Sequence, residues 1–179
     1  MKPITLTALK KYLATQSEQQ LTDEITGLFK QFPAVKDYYT SKLSSQGSAE
    51  VLEKYKALVQ HEFFPSRGFG KLRLSAARKA VRDFSKVATS AHDVIDIMLF
   101  YVEQGVLFTN EYGDIDEPFY NSMENMYESA LALIAKHNLY DDYRARCQSV
   151  VAKAPEGWGF HDGLRERYHQ CYDTYEGHV

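Results

Sequence analysis

At 179 residues, 44% of them hydrophobic and 25% charged, the chain is long enough to bury about two-thirds of its unfolded surface without disulfide staples. Thirteen Tyr and ten Phe exclude a disordered polar chain. A formal net charge of -3 gives no global reason for nucleic acid or an anionic membrane as partner, so any electrostatic argument must be local.

The opening stretch MKPITLTALKKYLATQS never assembles the apolar segment of a signal peptide. The longest uninterrupted apolar run, Ile97 to Val102, is far too short to span a bilayer, so a cytoplasmic protein is expected. Cys147 and Cys171 stand apart with no C-x-x-C pattern. Reduced thiols are expected there, rather than a disulfide, a zinc site or a redox pair.

Apolar residues recur at helical spacing, and no stretch alternates as a half-buried strand would, which predicts an all-α fold. Ser17 followed by Gln20 predicts a capping box opening a helix over 18–32, and Pro33 suits the first turn of another to about residue 44. Ser44 to Gly47 reads as the turn, after which Ser48 caps a helix to about Phe63 and Pro65 stops it. SRGFGK, residues 66–71, is a glycine-bearing loop before a helix that Ser75 opens and Val87 ends. Ser90 with Asp93 predicts the next capping box, opening a helix from Ala91 that is apolar on most faces and is expected at the centre of the fold. Gly105 falls inside it at a cost of about 1 kcal/mol relative to Ala, which predicts either close packing or a break there.

From Pro118 onward, Phe119, Met123, Met126, Tyr127, Ala130 and Ile134 form one apolar stripe ending near Asn138. Two further helices are predicted over 141–152 and 161–173. Residues 1–179 are thus expected to form one compact domain of roughly eight or nine antiparallel helices, an arrangement compatible with an αα-stack although no repeat period is visible.

Chemistry is harder to find. In FTNEYGDIDEPFY, residues 108–120, four carboxylates fall within seven positions. Counted from Asp114, however, the fifth and sixth places are Pro118 and Phe119, so the calcium-loop pattern fails. Helix ends explain the same residues: Gly113 closes one helix in a left-handed conformation, Asp116 caps the next, and Glu117 beside Pro118 suits the positive end of its dipole. SRGFGK has the ingredients of a phosphate cradle but matches neither nucleotide-loop pattern. Glu166 and His169 make one Glu-x-x-His pair where a di-iron bundle needs two, and no motif calls for a cofactor. In GWGFHDGL, residues 157–164, Trp158 lies between glycines and His161 and Asp162 begin the last helix, a turn with Trp158 plugging the core.

Charge is segregated along the chain. From Val87 to Ala135 there is no Lys or Arg and there are nine acids, whereas Ser66 to Lys86 carries seven cations against one acid. One arrangement lays the basic helix on the acidic one, with Arg78 and Arg82 facing Glu117, Asn121, Glu124 and Glu128. The other is a cleft with arginines on one wall and carboxylates on the opposite wall, suited to a zwitterionic or phosphorylated ligand or a divalent ion. The residues expected to line a binding site are Arg73, Arg78, Glu103, Asn110, Asp114, Glu117, Trp158 and His161, the last as an acid or base.

The stretches KLRLSAARKAVRDF, YVEQGVLFTNEYGDIDEPFYNSMENMYESAL and GWGFHDGL resemble an uncharacterised bacterial family of small helical proteins labelled only as a domain of unknown function. The resemblance implies a stand-alone, single-domain, cytoplasmic helical protein, and it brings no catalytic residues with it. With many helix faces and no complete catalytic constellation, the sequence predicts an interaction module that binds another protein or itself; Tyr168, Tyr172 and Tyr175, spaced for one face, read as helix packing, and only their exposure in the fold would mark a docking site.

Overall fold

The computed structural model describes residues 3–157 and 159–176. Among these, nine α-helices and no strand are present: α1 Leu6–Leu13, α2 Glu18–Gln31, α3 Pro33–Leu43, α4 Ser45–Phe63, α5 Leu74–Val87, α6 Ala91–Tyr112, α7 Glu117–His137, α8 Tyr140–Lys153 and α9 Phe160–Glu176. None of the described helices is long and apolar enough to cross a membrane.

Several boundaries follow from local chemistry. Ser17 Oγ accepts from the Gln20 amide while the Gln20 side chain accepts from the Ser17 amide, a complete capping box. Pro33 occupies the first turn of α3, where its missing N–H costs nothing. Asp116 accepts from the Phe119 amide at 2.9 Å, and Asn138 closes α7 with left-handed backbone (φ 55°, ψ 45°).

Other boundaries differ from the sequence reading. Ser44, not Ser48, caps α4 by accepting from the Gly47 amide at 3.1 Å, so the expected turn is the helix's first turn. Gly47 is there for proximity: a Cβ would press on the Thr40 carbonyl of α3. Ser48 instead donates to Asp93 across 45 residues at 2.7 Å, which removes Asp93 from the capping box expected at Ser90. Ser90 caps α6 alone, through the His92 amide. Helix α5 begins at Leu74 without a side-chain cap, one residue ahead of Ser75.

Helix α6 is the axis of the core, as its composition predicted: Ile95, Ile97, Leu99, Tyr101 and Val102 are fully buried. It touches α4, α5, α7 and α8, while α9 closes over α7 and α8 and α3 lies on α4 and α5. Gly105 marks close packing, not a break, because a side chain there would run into Met123 of α7 and α6 continues seven residues past it. Outside this core, α2 rests on α3, and neither α1 nor α2 buries any residue.

Candidate functional site

The segregated charges are reconciled by long-range pairing, with partners different from those expected. Arg146 of α8 donates to both oxygens of Glu103 (2.7 and 2.9 Å) and also bonds Asp96, whose second oxygen lies 2.7 Å from Lys56 Nζ of α4. Burial disfavours the Asp96 carboxylate, but hydrogen bonds from Lys56 and Arg146 outweigh it and hold its pKa below the usual range. Burial likewise works against the Arg146 cation, and the two carboxylates override it. Glu124 and Glu128 of α7 meet Arg167 of α9 at 2.9 and 3.5 Å. The acidic helices are therefore answered by α4, α8 and α9, not by the basic helix α5.

That leaves α5 and α7 flanking α6 with a groove of about 530 Å³ between them. Arg78 Nη1 donates to Ser122 Oγ at 2.9 Å, and Ser122 shares a 2.7 Å hydrogen bond with the buried Tyr101 hydroxyl. Burial pushes the Tyr101 phenol above its ordinary pKa, so it serves as a neutral partner. The α7 residues opposite Arg78, Arg82 and Lys86 are Ser122, Asn125 and Ser129, and not the expected stripe of Glu117, Asn121, Glu124 and Glu128.

The remaining expected site residues fall in separate places. Glu103 and Asn110 do share a cleft, of about 420 Å³ between α6 and α8, with Lys153 on its rim; Asn110 donates to the Lys153 carbonyl at 2.9 Å. Arg73 forks onto Glu62 with hydrogen bonds of 2.9 and 2.7 Å, and these draw the Glu62 pKa down. Asp114 accepts from the Tyr120 hydroxyl at 3.3 Å and lies against Gly157, where a Cβ would stand 2.5 Å from its Oδ1, so the stretches around 108–120 and 157–164 meet. Glu117 is exposed in the first turn of α7. His161 stands 3.5 Å from Asp162, which also pairs with Arg165, in a depression of about 320 Å³. Trp158 lies outside the described residues. Among the described residues, no three His, Cys, Asp or Glu are grouped to hold a metal.

Tyr168 and Tyr172 of α9 belong to the core, as the one-face spacing of the α9 tyrosines predicts. Tyr168 and Tyr172 are buried and stacked on each other, and Tyr175 stacks on Tyr140 at 4.0 Å. Exposed apolar surface lies at the other end of the chain. Of the twelve large hydrophobic side chains exposed among the described residues, seven fall between residues 4 and 32: Ile4, Leu6, Leu9, Tyr12, Ile25, Leu28 and Phe32. The helical spacing of Leu6, Leu9 and Leu13 was the available signal, but a stripe of that kind reads as core until the partner helix proves absent. The Ser122, Asn125, Ser129 row carried no signal, since isolated polar residues on a helix ordinarily face water.

Residues 4–175 match the model of a family described as Family of unknown function (DUF6155). No curated protein and no solved structure matches the chain.

Proposed function

Since the chain belongs to this family of unknown function and its role must be read from its own residues, we propose that it is a helical interaction module that pairs with a second copy of itself through its N-terminal helices. One observation carries this reading: α1 and α2 are amphipathic yet fully bury no residue, and the stretch from Ile4 to Phe32 that contains them holds the main concentration of exposed hydrophobic side chains. Helices this short are marginal in water unless an apolar face is covered.

The occupant is argued from charge and shape. Helix α1 carries Lys10 and Lys11 and no acid, whereas α2 carries Glu18, Asp23 and Glu24 against Lys30. A two-fold contact that sets α1 of one copy on α2 of the other matches charge in both halves, as a self-complementary interface requires. A groove of about 430 Å³ lined by Phe29, Tyr39 and Leu43 adjoins α2 and offers a seat for Leu6 and Leu9 of the partner copy.

The reading takes residues 1–179 as one domain of a bacterial cytoplasmic protein. Its two free cysteines suit a reducing compartment, and none of the described helices is long and apolar enough to cross a membrane. Light scattering and sedimentation over a concentration series test the pairing. The chain should dimerise in the micromolar range, with hydrogen-exchange protection over residues 6–31 rising in step. A Leu6→Asp, Leu9→Asp variant should stay monomeric with unchanged helicity. A wild-type chain that remains monomeric at every concentration overturns the proposal.

A further inference from the structure

Four arginines of this protein meet a carboxylate: Arg73 meets Glu62, Arg146 meets Asp96 and Glu103, Arg165 meets Asp162, and Arg167 meets Glu124 and Glu128. Arg78 and Arg82, one turn apart on α5, meet none among the described residues. Arg78 is partly buried, and its hydrogen-bonded side-chain partner is the neutral Ser122 hydroxyl. A partly buried guanidinium whose hydrogen-bond partner is neutral keeps its charge available to an anion.

The groove beside these residues supplies the rest of an anion site. Lys86 continues the row one turn further, held at 3.0 Å by Asp83 on its own helix, and no carboxylate lines the groove. From residue 78 to residue 86 the row is about 12 Å long, which suits a small molecule and is too short for a nucleic-acid duplex. Opposite stand neutral polar groups: Ser122, which accepts from Arg78; Asn125; and Ser129, whose hydroxyl donates to the Asn125 carbonyl at 2.8 Å. The floor is apolar, with Met98 and Met126. Cations at one wall, neutral hydroxyl and amide groups at the other and thioethers beneath describe a ligand with an anionic group on an apolar body.

We infer that the α5/α7 groove binds a phosphorylated small molecule, its phosphoryl group held by Arg78 and Arg82 and its organic body lying on Met98 and Met126. The pairing of two adjacent guanidinium forks with a third cation in reserve matches a dianionic phosphate better than a single carboxylate. This inference stands on different residues from the proposed dimer contact and holds for either oligomeric state.

Isothermal titration with phenyl phosphate, phenol and inorganic phosphate, on the full chain, tests it. Phenyl phosphate should bind more tightly than either of the other two, which each lack half of the recognised chemistry. Arg82→Gln, at an exposed position with no partner among the described residues to lose, should weaken phenyl phosphate by about tenfold or more, the loss of one charge-assisted hydrogen bond. Arg165→Gln, in a separate depression, should leave the affinity unchanged. Met126→Ser should weaken phenyl phosphate while sparing inorganic phosphate. The inference is overturned if wild type binds no phosphate, if phenol binds as well as phenyl phosphate, or if Arg165→Gln and Arg82→Gln weaken binding equally.

Discussion

Glu62 is a carboxylate that folding removes almost completely from water, and the forked hydrogen bonds from Arg73 keep it ionised there. Its folded pKa is below its ordinary value, so the unfolded chain takes up the proton more readily. Its contribution to stability is therefore complete above the unfolded pKa of about 4.3 and is lost as pH falls through the folded value. Glu62→Gln should lower the urea midpoint at pH 7, and the gap to wild type should narrow as the pH falls below about 4. A gap that is constant across pH would refute the ionised pair. Desolvation raises the pKa of both acids, but where Arg73 outweighs it at Glu62 it dominates at Cys147, and burial pushes that thiol up to about 11. At pH 8 only about one molecule in a thousand then holds a thiolate there, and the sulfur is also out of reach of solvent. Titration with a disulfide reagent should label the half-exposed Cys171 first and Cys147 only after unfolding; equal rates would exclude this environment.

At the scale of elements, glycine separates crowded stretches of the chain from open ones. A Cβ on Gly70 would collide with the Phe63 carbonyl, a backbone atom that cannot rotate aside, in the loop that brings Arg73 back to Glu62. Gly27 of α2 has open space around it. Gly70→Ala should accordingly destabilise by about 1–3 kcal/mol, and Gly27→Ala should stabilise by about 0.5–1 kcal/mol through helix propensity. Thermal unfolding of the pair decides, because an equal response from both would mean the crowding at Gly70 is not real. The same contrast explains why α4 was misplaced at its start. A glycine among serines reads as a turn in sequence, and at Gly47 the requirement comes instead from a neighbouring helix.

At the scale of the molecule, the bond network of Lys56, Asp96, Arg146 and Glu103 ties α4, α6 and α8 together. Arg146 is 29% exposed at its side chain, and its removal leaves two partly buried carboxylates facing each other. Arg146→Met should cost about 2–3 kcal/mol, somewhat below the loss for breaking a fully buried pair. Arg165→Met, in a pair with both side chains more than half exposed, should stay within about 0.5 kcal/mol of wild type. Urea denaturation of both variants checks the difference, and equal losses would deny the network its structural role.

The all-helical class, the central place of α6, the caps at Ser17 and Asp116 and the close of α7 at Asn138 were legible because each depends on residues within about one helical turn, where spacing alone decides which groups meet. The partners of Arg146 lie 43 and 50 residues away, and nothing local distinguishes Glu103 and Asp96 from the other acids of that segment. Only packing decided which cations answered which carboxylates, and thereby which arginines were left facing neutral groups. Spacing alone likewise leaves open whether an apolar stripe is covered, and the tertiary structure buries Tyr168 and Tyr172 of α9 while leaving Leu6 and Leu9 of α1 exposed.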